Sequence, residues 1–167
     1  MMLSDLSKEE LRQMEKIGKL RTFSKDGTIV REGDPGSSFF LLLAGSAEVR
    51  KNVGLVSFRK LMDFGPCHIF GEICFLGNPQ RTATVVAVEE CKVLEFHRND
   101  FENFVAKNPV LGLKIYRGIA QELADRLIKN NEELRKALLW ALDEMRERNQ
   151  ISLSKGSINT LASEAAE

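Results

Sequence analysis

Short runs of strand-forming residues, separated by turn residues, occupy the middle of this chain from Thr22 to Phe96. Val, Ile, Phe and Thr are frequent in the runs. Glycines, prolines and an acidic pair interrupt them at Gly27, Gly33–Gly36, Gly45, Gly54, Gly65–Pro66, Gly77–Pro79 and Glu89–Glu90. Such regular punctuation by turn residues is typical of short antiparallel strands. The segment therefore predicts an antiparallel β-sandwich or roll.

Charged and apolar residues alternate in some of these runs. Glu48 and Arg50 alternate with Ala47 and Val49, and Glu95 lies among apolar neighbours. Because successive side chains of a strand point to opposite faces, one face of such a sheet packs in the core and the other meets water. We therefore expect the charged side chains of these runs to face solvent.

Helices are predicted on both sides of this roll. Ser7, with Glu10 three residues later, forms a capping-box pattern that predicts a short amphipathic helix near the N-terminus. Asn99 is the predicted N-cap of a helix over residues 100–107, and Pro109 fits the first turn of a final helix. The predicted fold class is α+β and mainly β, an antiparallel β-roll or jelly roll flanked by an N-terminal helix and a long C-terminal helix.

The final helix is predicted to run from Pro109 to about residue 150, because this stretch has no further proline. A helix of roughly 40 residues is about 60 Å long. A heptad stripe with one polar member runs along it: Ala120, Ala124, Leu127, Asn131, Leu134, Leu138, Ala141 and Met145. The stripe predicts a coiled-coil seam and a homodimer through helix 109–150, although its first half fits packing on the roll equally well.

The chain is long enough for one apolar core with an appendage. We expect residues 1–108 to form the first helix, the roll and a hinge helix, and residues 109–150 to form the dimerisation helix. The small, polar segment 151–167 is expected to be a flexible tail or a short docked segment.

The stretch Ile69–Val85, with sequence IFGEICFLGNPQRTATV, combines a carboxylate and a guanidinium among small residues. Arg81 offers a planar fork of donors for a phosphate, and Glu72 can accept from a ribose hydroxyl. Gly71 lets the backbone approach a ligand closely, and Ile73–Leu76 can begin a short helix whose amides face an anion. This chemistry suits a cyclic nucleotide.

The same stretch resembles the phosphate-binding cassette of the cyclic nucleotide-binding domain family. The spacing from Glu72 to Arg81 matches that family, while Cys74 and Gln80 stand where many members have Ala and Pro. The resemblance covers about residues 10–148. It implies a cyclic mononucleotide ligand and no separate cofactor, with these binding residues in the cassette: Gly71, Glu72, Ile73, Cys74, Arg81, Thr82 and Ala83.

Selectivity for the base depends on residues inside and outside the cassette. The RTATV run resembles cyclic GMP-dependent kinases, in which a hydroxyl after the Arg contacts guanine, but Thr82 also fits a plain strand residue. Asn130 and Asn131 align with a purine-contacting Thr-Ser pair in the dimer helix of catabolite activator proteins. Asn131 alternatively fixes the register of the seam. Cyclic AMP and cyclic GMP both remain candidate ligands.

Composition argues against several classes of function. The formal net charge is zero, so no electrostatic footprint for DNA or a membrane surface is present. The chain has neither an apolar run of about 20 residues nor a signal-peptide core, which predicts a cytoplasmic protein. Cys67, Cys74 and Cys91 lack disulfide or zinc spacing, and His68 and His97 lack further ligands at metal spacing. We expect no metal site and no enzymatic activity.

These features together predict a regulatory sensor. Residues 151–167 are too few for the helix-turn-helix that follows the long helix in transcription factors of this family, so we expect no DNA binding. Ligand binding would reposition the long helix through a hinge near residues 101–109 and present it to an unidentified effector protein. The alternative is a structural dimerisation module in which the cassette binds no nucleotide.

Overall fold

A computed structural model describes residues 6–52, 54, 58–77 and 79–164, with side chains described through residue 146. Helices and strands follow one another in these ranges as α1 Lys8–Ile17, β1 Lys19–Phe23, β2 Thr28–Val30, β3 Ser38–Ala44, β4 Ala47–Asn52, β5 Phe58–Phe64, β6 Ile69–Phe70, α2 Glu72–Leu76, β7 Thr84–Ala87, β8 Cys91–His97, α3 Arg98–Lys107 and α4 Pro109–Glu164.

Two antiparallel sheets of four strands form the centre of the fold. Their strand orders are β1-β8-β3-β6 and β2-β7-β4-β5. One apolar core is shared between the sheets, with Phe40, Leu42 and Val93 contributed by the first and Ala47 and Val85 by the second. The mainly β fold class with flanking helices, predicted from the turn pattern, is confirmed.

Helix α1 begins with the capping box that the sequence predicts. The Ser7 hydroxyl accepts from the backbone N–H of Glu10 at 3.2 Å, and the Glu10 carboxylate accepts from the backbone N–H of Ser7 at 2.7 Å. Glu10 also pairs with Lys114 at 2.7 Å, and these contacts, with Lys114 the largest, lower the pKa of Glu10. Met14 anchors the apolar side of the helix in the core.

Two glutamates that we expected to face solvent are buried instead. Glu48 is 9% exposed and Glu95 is 8% exposed. Glu48 is paired with Arg50 and Lys60, and Glu95 is paired with Arg21 at 2.9 Å. The expectation was wrong because part-exposed cations lie against these carboxylates and supply the charge partners that a buried carboxylate needs in place of water.

Helix α3 begins earlier than predicted. Its N-cap is His97 and its first residue is Arg98, so Asn99 lies inside the helix and caps nothing. Strand β8 ends at His97, and α3 follows it without a connecting loop. The side chain of the N-cap residue, His97, makes no hydrogen bond to the first turn. The first residue of α3 therefore cannot be predicted from a capping side chain.

The chain divides into two compact units, residues 1–122 and 123–167. Helix α4 begins at Pro109 as predicted and continues to Glu164, which is past the predicted end at residue 150 and through most of the predicted tail. The last residues, 165–167, lie outside the described ranges. In the second unit, apolar residues of the predicted seam are exposed at Leu127, Leu134, Leu138 and Met145.

The described helices include none that could span a membrane. None of them combines sufficient length with sufficient apolar character.

Phe39 offers a test of the packing beside the shared core. Its side chain is fully buried, and its ring contacts Phe96 at 4.7 Å, Phe75 at 4.8 Å and Phe101 at 5.3 Å between centroids. Phe39→Ala should lower the free energy of unfolding by about 3–5 kcal/mol, because it removes the transfer energy and leaves a cavity. Urea unfolding measures this change.

The matched control is Phe58→Ala on strand β5. Phe58 is exposed, so its removal should change the free energy of unfolding by less than about 0.5 kcal/mol. Equal losses of unfolding free energy in the two variants would show that the packing of the aromatic rings around Phe39 does not stabilise the fold.

Candidate functional site

The backbone of Arg81 is fixed by a loop that connects β2 and β3. The Arg81 N–H donates to the Asp34 carbonyl at 2.9 Å, and the Arg81 carbonyl accepts from the Gly33 N–H at 2.9 Å. Nearby, the Gly36 N–H donates to the Pro79 carbonyl at 3.1 Å. These bonds pair two loops that are distant in sequence and set the point from which the Arg81 side chain leaves the backbone.

The guanidinium of Arg81 is buried and held on several sides, with the residue 8% exposed. Nη1 donates to the Ser38 carbonyl at 2.6 Å and to the Gly71 carbonyl at 3.1 Å, and Nη2 donates to Ser38 Oγ at 2.8 Å. The Phe40 ring centroid lies 5.4 Å from Cζ, within the range of a cation–π contact. A guanidinium carries five N–H donors, which allows it to bond several protein groups and an anion at the same time.

Two glycines make room for this guanidinium. A Cβ atom at Gly36 would lie 2.7 Å from Arg81 Cζ, and a Cβ atom at Gly71 would lie 2.8 Å from Arg81 Nη1. Gly71 also has a φ of 76°, in the left-handed region that favours glycine. A larger residue at either position would displace the cation.

Gly71 is also the N-cap of α2, which carries the predicted carboxylate. Glu72 is the first residue of this helix and is 3% exposed. Cys74 is buried, whereas the Ile73 side chain is exposed. Because Arg81 donates to the Gly71 carbonyl, the structure brings the guanidinium to the residue that precedes Glu72.

The segment after Arg81 is held by strand β4. Thr82 and Ala83 are half-buried and precede β7, which begins at Thr84, so Thr82 is not a residue of the strand. Lys51 Nζ donates to the Thr82 carbonyl at 2.6 Å and pairs with Glu32 at 2.7 Å. These contacts fix the backbone beside the guanidinium, so Thr82 and Ala83 belong to the same local structure as Arg81.

Asn130 and Asn131 belong to a different unit of the chain from the cassette. Both lie on α4 in the second unit, and both are exposed. Their contact with a base, and the alternative role of Asn131 in a seam, stay predictions.

Arg98 connects the cassette to the helix after the roll. Its Nη2 donates to the Cys74 carbonyl at 2.7 Å and its Nε donates to the Phe75 carbonyl at 3.0 Å. Both carbonyls belong to α2, where the end of a helix leaves such groups without helical partners. The side chain at the start of α3 therefore holds the end of α2.

An aromatic cluster makes a second connection between these helices. Phe75 of α2 contacts Phe101 of α3 at 5.3 Å between centroids, and Phe101 contacts Tyr116 of α4 at 5.6 Å. All three residues lie in the first unit. A displacement of α2 would therefore disturb the packing of α3 and of the start of α4.

The sequence interpretation missed several residues of this site. Ser38 is a polar residue at the start of an otherwise apolar strand, which was an available signal. Glu95 was assigned to solvent from strand alternation, and Arg98 and Gly36 gave no local signal. Each of these residues acts on a partner far away in the chain, so local spacing does not reveal it.

Comparison with protein families identifies the family of this chain. Residues 20–108 match the cyclic nucleotide-binding domain family, and the match covers more than half of the chain. The chain therefore belongs to the cyclic nucleotide-binding domain family. The matched range contains the cassette and Arg98, and it ends before α4.

Relatives with curated names match mainly the same part of the chain. Glutaminase 1 of Bradyrhizobium diazoefficiens is 32% identical over 133 residues, which are 80% of this chain and 21% of the relative. The cAMP-dependent protein kinase regulatory subunit of Hypocrea atroviridis is 34% identical over 111 residues, which are 66% of this chain and 22% of the relative. The match thus spans about a fifth of the length of these relatives.

A solved structure agrees with the fold. The catabolite activator protein of Thermus thermophilus superposes with a TM-score of 0.70 at 27% sequence identity. The superposition covers 80% of this chain and 61% of that protein. The β-roll with its flanking helices is therefore shared with a protein of the class that the cassette resembles.

Gly36→Ala tests how closely the glycines confine the guanidinium. The new methyl group would lie 2.7 Å from Arg81 Cζ, so Arg81 must move away from Ser38 and lose buried hydrogen bonds. The free energy of unfolding should fall by about 1–3 kcal/mol, as measured by urea unfolding.

Gly65→Ala is the control, because a Cβ atom at Gly65 meets nothing within 4 Å. It should be neutral or should stabilise by up to about 1 kcal/mol through the unfolded state. A Gly36→Ala variant as stable as Gly65→Ala would contradict the close fit.

Proposed function

We propose that this cyclic nucleotide-binding regulatory domain holds a cyclic mononucleotide with Arg81 on the phosphate and Glu72 on the ribose. The observation that carries the proposal is the buried, oriented guanidinium of Arg81 beside the first residue of α2. A buried guanidinium with a planar fork of donors is suited to a phosphate monoanion.

The carboxylate and the small residues of the cassette complete the proposed site. An ionised Glu72 only accepts hydrogen bonds, so it would accept from the ribose 2'-hydroxyl. Backbone groups from Gly71 to Cys74 and at Ala83 would surround the phosphate and sugar. The glycine at position 71 leaves the space that the Arg81 guanidinium occupies.

The proposed ligand is cyclic AMP or cyclic GMP. The name of the related kinase regulatory subunit supports cyclic AMP. The Thr82 hydroxyl, which follows Arg81 directly, supports cyclic GMP. In this proposal Thr82, Asn130 and Asn131 decide between the two bases, because hydroxyl and amide groups both donate and accept hydrogen bonds.

The proposed output is a change in α3 and α4. Arg98 and the aromatic cluster of Phe75, Phe101 and Tyr116 connect α2 to both helices. A ligand that binds one arrangement of α2 more tightly would shift the population of the arrangements of α3 and α4. The exposed apolar stripe on α4 supports a homodimer, and a change in α4 would be read by an effector protein.

Arg81→Ala tests the assignment of the phosphate-binding residue. Titration calorimetry with cyclic AMP and cyclic GMP should show a loss of roughly 2–5 kcal/mol of binding free energy, because the phosphate loses its charged partner. Arg81→Lys should recover only part of this loss, since a lysine keeps the charge and loses the planar fork.

Arg59→Ala is the control, because Arg59 is an exposed arginine of the same roll and should leave affinity unchanged. Unchanged affinity in Arg81→Ala would overturn the site assignment. Failure of the unaltered protein to bind either nucleotide would favour the structural dimerisation module.

Arg98→Gln tests the connection between the cassette and the following helices. In the unaltered protein, cyclic nucleotide should change amide hydrogen exchange in α3 and in the start of α4. Arg98→Gln should keep affinity within about tenfold and lose most of this response, because the α2 carbonyls lose a charged donor.

Arg117→Gln, at an exposed arginine of α4, should keep both the affinity and the exchange response. An undiminished exchange response in Arg98→Gln would exclude Arg98 as the connection.

A further inference from the structure

Glu95 is a buried carboxylate within a chain of polar contacts that reaches Arg81. Its Oε2 accepts from Arg21 Nη1 at 2.9 Å, and its Oε1 accepts from Ser38 Oγ at 3.1 Å. His97 Nε2 also lies 3.6 Å from Oε1. Ser38 Oγ in turn lies 2.8 Å from Arg81 Nη2. The contacts therefore run from Arg21 through Glu95 and Ser38 to the guanidinium of Arg81.

The direction of every bond in this chain is determined by chemistry. A guanidinium only donates, and an ionised carboxylate only accepts. The Ser38 hydroxyl has one hydrogen, so it accepts from Arg81 and donates to Glu95. Its rotation is thereby fixed with a lone pair toward Nη2. Without an acceptor at Glu95, the hydroxyl hydrogen could turn toward the guanidinium and weaken that contact.

Strand β3 carries two of the groups that contact the Arg81 guanidinium, the Phe40 ring and the Ser38 hydroxyl. In the pairing of β3 with β8, Glu95 lies opposite Phe40, whose ring is 5.4 Å from Arg81 Cζ. Ser38 lies two residues before Phe40 on the same strand. One strand pair therefore positions the aromatic contact, the hydroxyl and the carboxylate relative to Arg81.

A cavity beside Arg81 explains why such positioning matters. Its volume is about 240 Å³, and its lining includes Arg21, Asp34, Glu95 and Arg81. A guanidinium next to open space can turn unless its hydrogen bonds prevent it. Glu95 lines the same cavity and is bonded there to Arg21 and to Ser38.

We propose that Glu95 is a positioning residue that orients the Arg81 guanidinium for phosphate through the hydroxyl of Ser38. This inference rests on the proposed function, because it assigns a role in the same site. Glu95 orients Arg81 before ligand arrives, so less freedom is lost on binding. Removal of the Glu95 charge weakens binding even though Glu95 never touches the ligand.

The first measurement uses ligand-free protein, so it does not depend on nucleotide binding. Side-chain ¹⁵N–¹H spectra should show separate, slowly exchanging Nη signals for Arg81, because three of its N–H groups are bonded. Glu95→Gln leaves a single acceptor oxygen for both Arg21 and Ser38, and Ser38→Ala removes the hydroxyl, so both variants should broaden or merge these signals. Ser38→Thr should keep them because it retains the hydroxyl.

The second measurement is the affinity of the same variants for cyclic AMP and cyclic GMP. Ser38→Ala should lose about tenfold, as for one hydrogen bond to a charged group, and Glu95→Gln about fivefold. Because Glu95 acts through Ser38, the double variant should bind as Ser38→Ala alone does, without a further loss.

Glu48→Gln is the matched control. Glu48 is also a buried strand glutamate paired with two cations, but it does not contact Arg81 or Ser38. This variant should leave the Arg81 signals and the affinity unchanged. The comparison therefore distinguishes the orientation of Arg81 by Glu95 from the general effect of replacing a buried glutamate.

Unchanged Arg81 signals in Glu95→Gln would overturn the inference, and so would losses of affinity that multiply in the double variant. If the unaltered protein binds neither nucleotide, the proposed function fails on its own. The spectra of the ligand-free variants still decide whether Glu95 positions Arg81.

Discussion

The buried guanidinium of Arg81 is the interaction on which the rest of the site depends. A cation removed from water requires hydrogen-bond partners, and these come from Ser38 at the start of β3 and Gly71 at the start of α2. Satisfying one charge therefore joins the two segments and fixes the beginning of α2. The glycines at positions 36 and 71 are required because the cation occupies the space that their side chains would fill.

The same helix, α2, belongs both to the proposed binding site and to the proposed output. Its first turn carries Glu72, and its last carbonyls accept from Arg98 at the start of α3. Phe75 adds an apolar contact to Phe101. A helix of five residues contributes little stability of its own, so its position is set by contacts at its two ends. In the proposed function, a ligand at one end of such a helix would readily shift its position.

Local sequence patterns predicted most of the helices and strands. The predictions that were wrong concern residues whose environment depends on partners far away in the sequence. The capping box at Ser7 and the mainly β roll follow from short-range spacing and are confirmed. The spacing of Glu72 and Arg81 also predicted the cassette, whose residue range lies within the match to the cyclic nucleotide-binding domain family. The burial of Glu95 could not be predicted, because its partners Arg21 and Ser38 lie 74 and 57 residues away. The alternation rule places every charged side chain on the solvent face, because it does not consider that protein groups can pair with a buried charge.

A crystal structure of the protein with cyclic AMP would test the central claim most directly. The account predicts that phosphate oxygens lie within hydrogen-bond distance of the Arg81 guanidinium, while its contacts with Ser38 and Gly71 persist. The ribose 2'-hydroxyl should lie on Glu72. A nucleotide whose phosphate is held elsewhere, or an Arg81 that leaves Ser38 to reach the phosphate, would contradict the account.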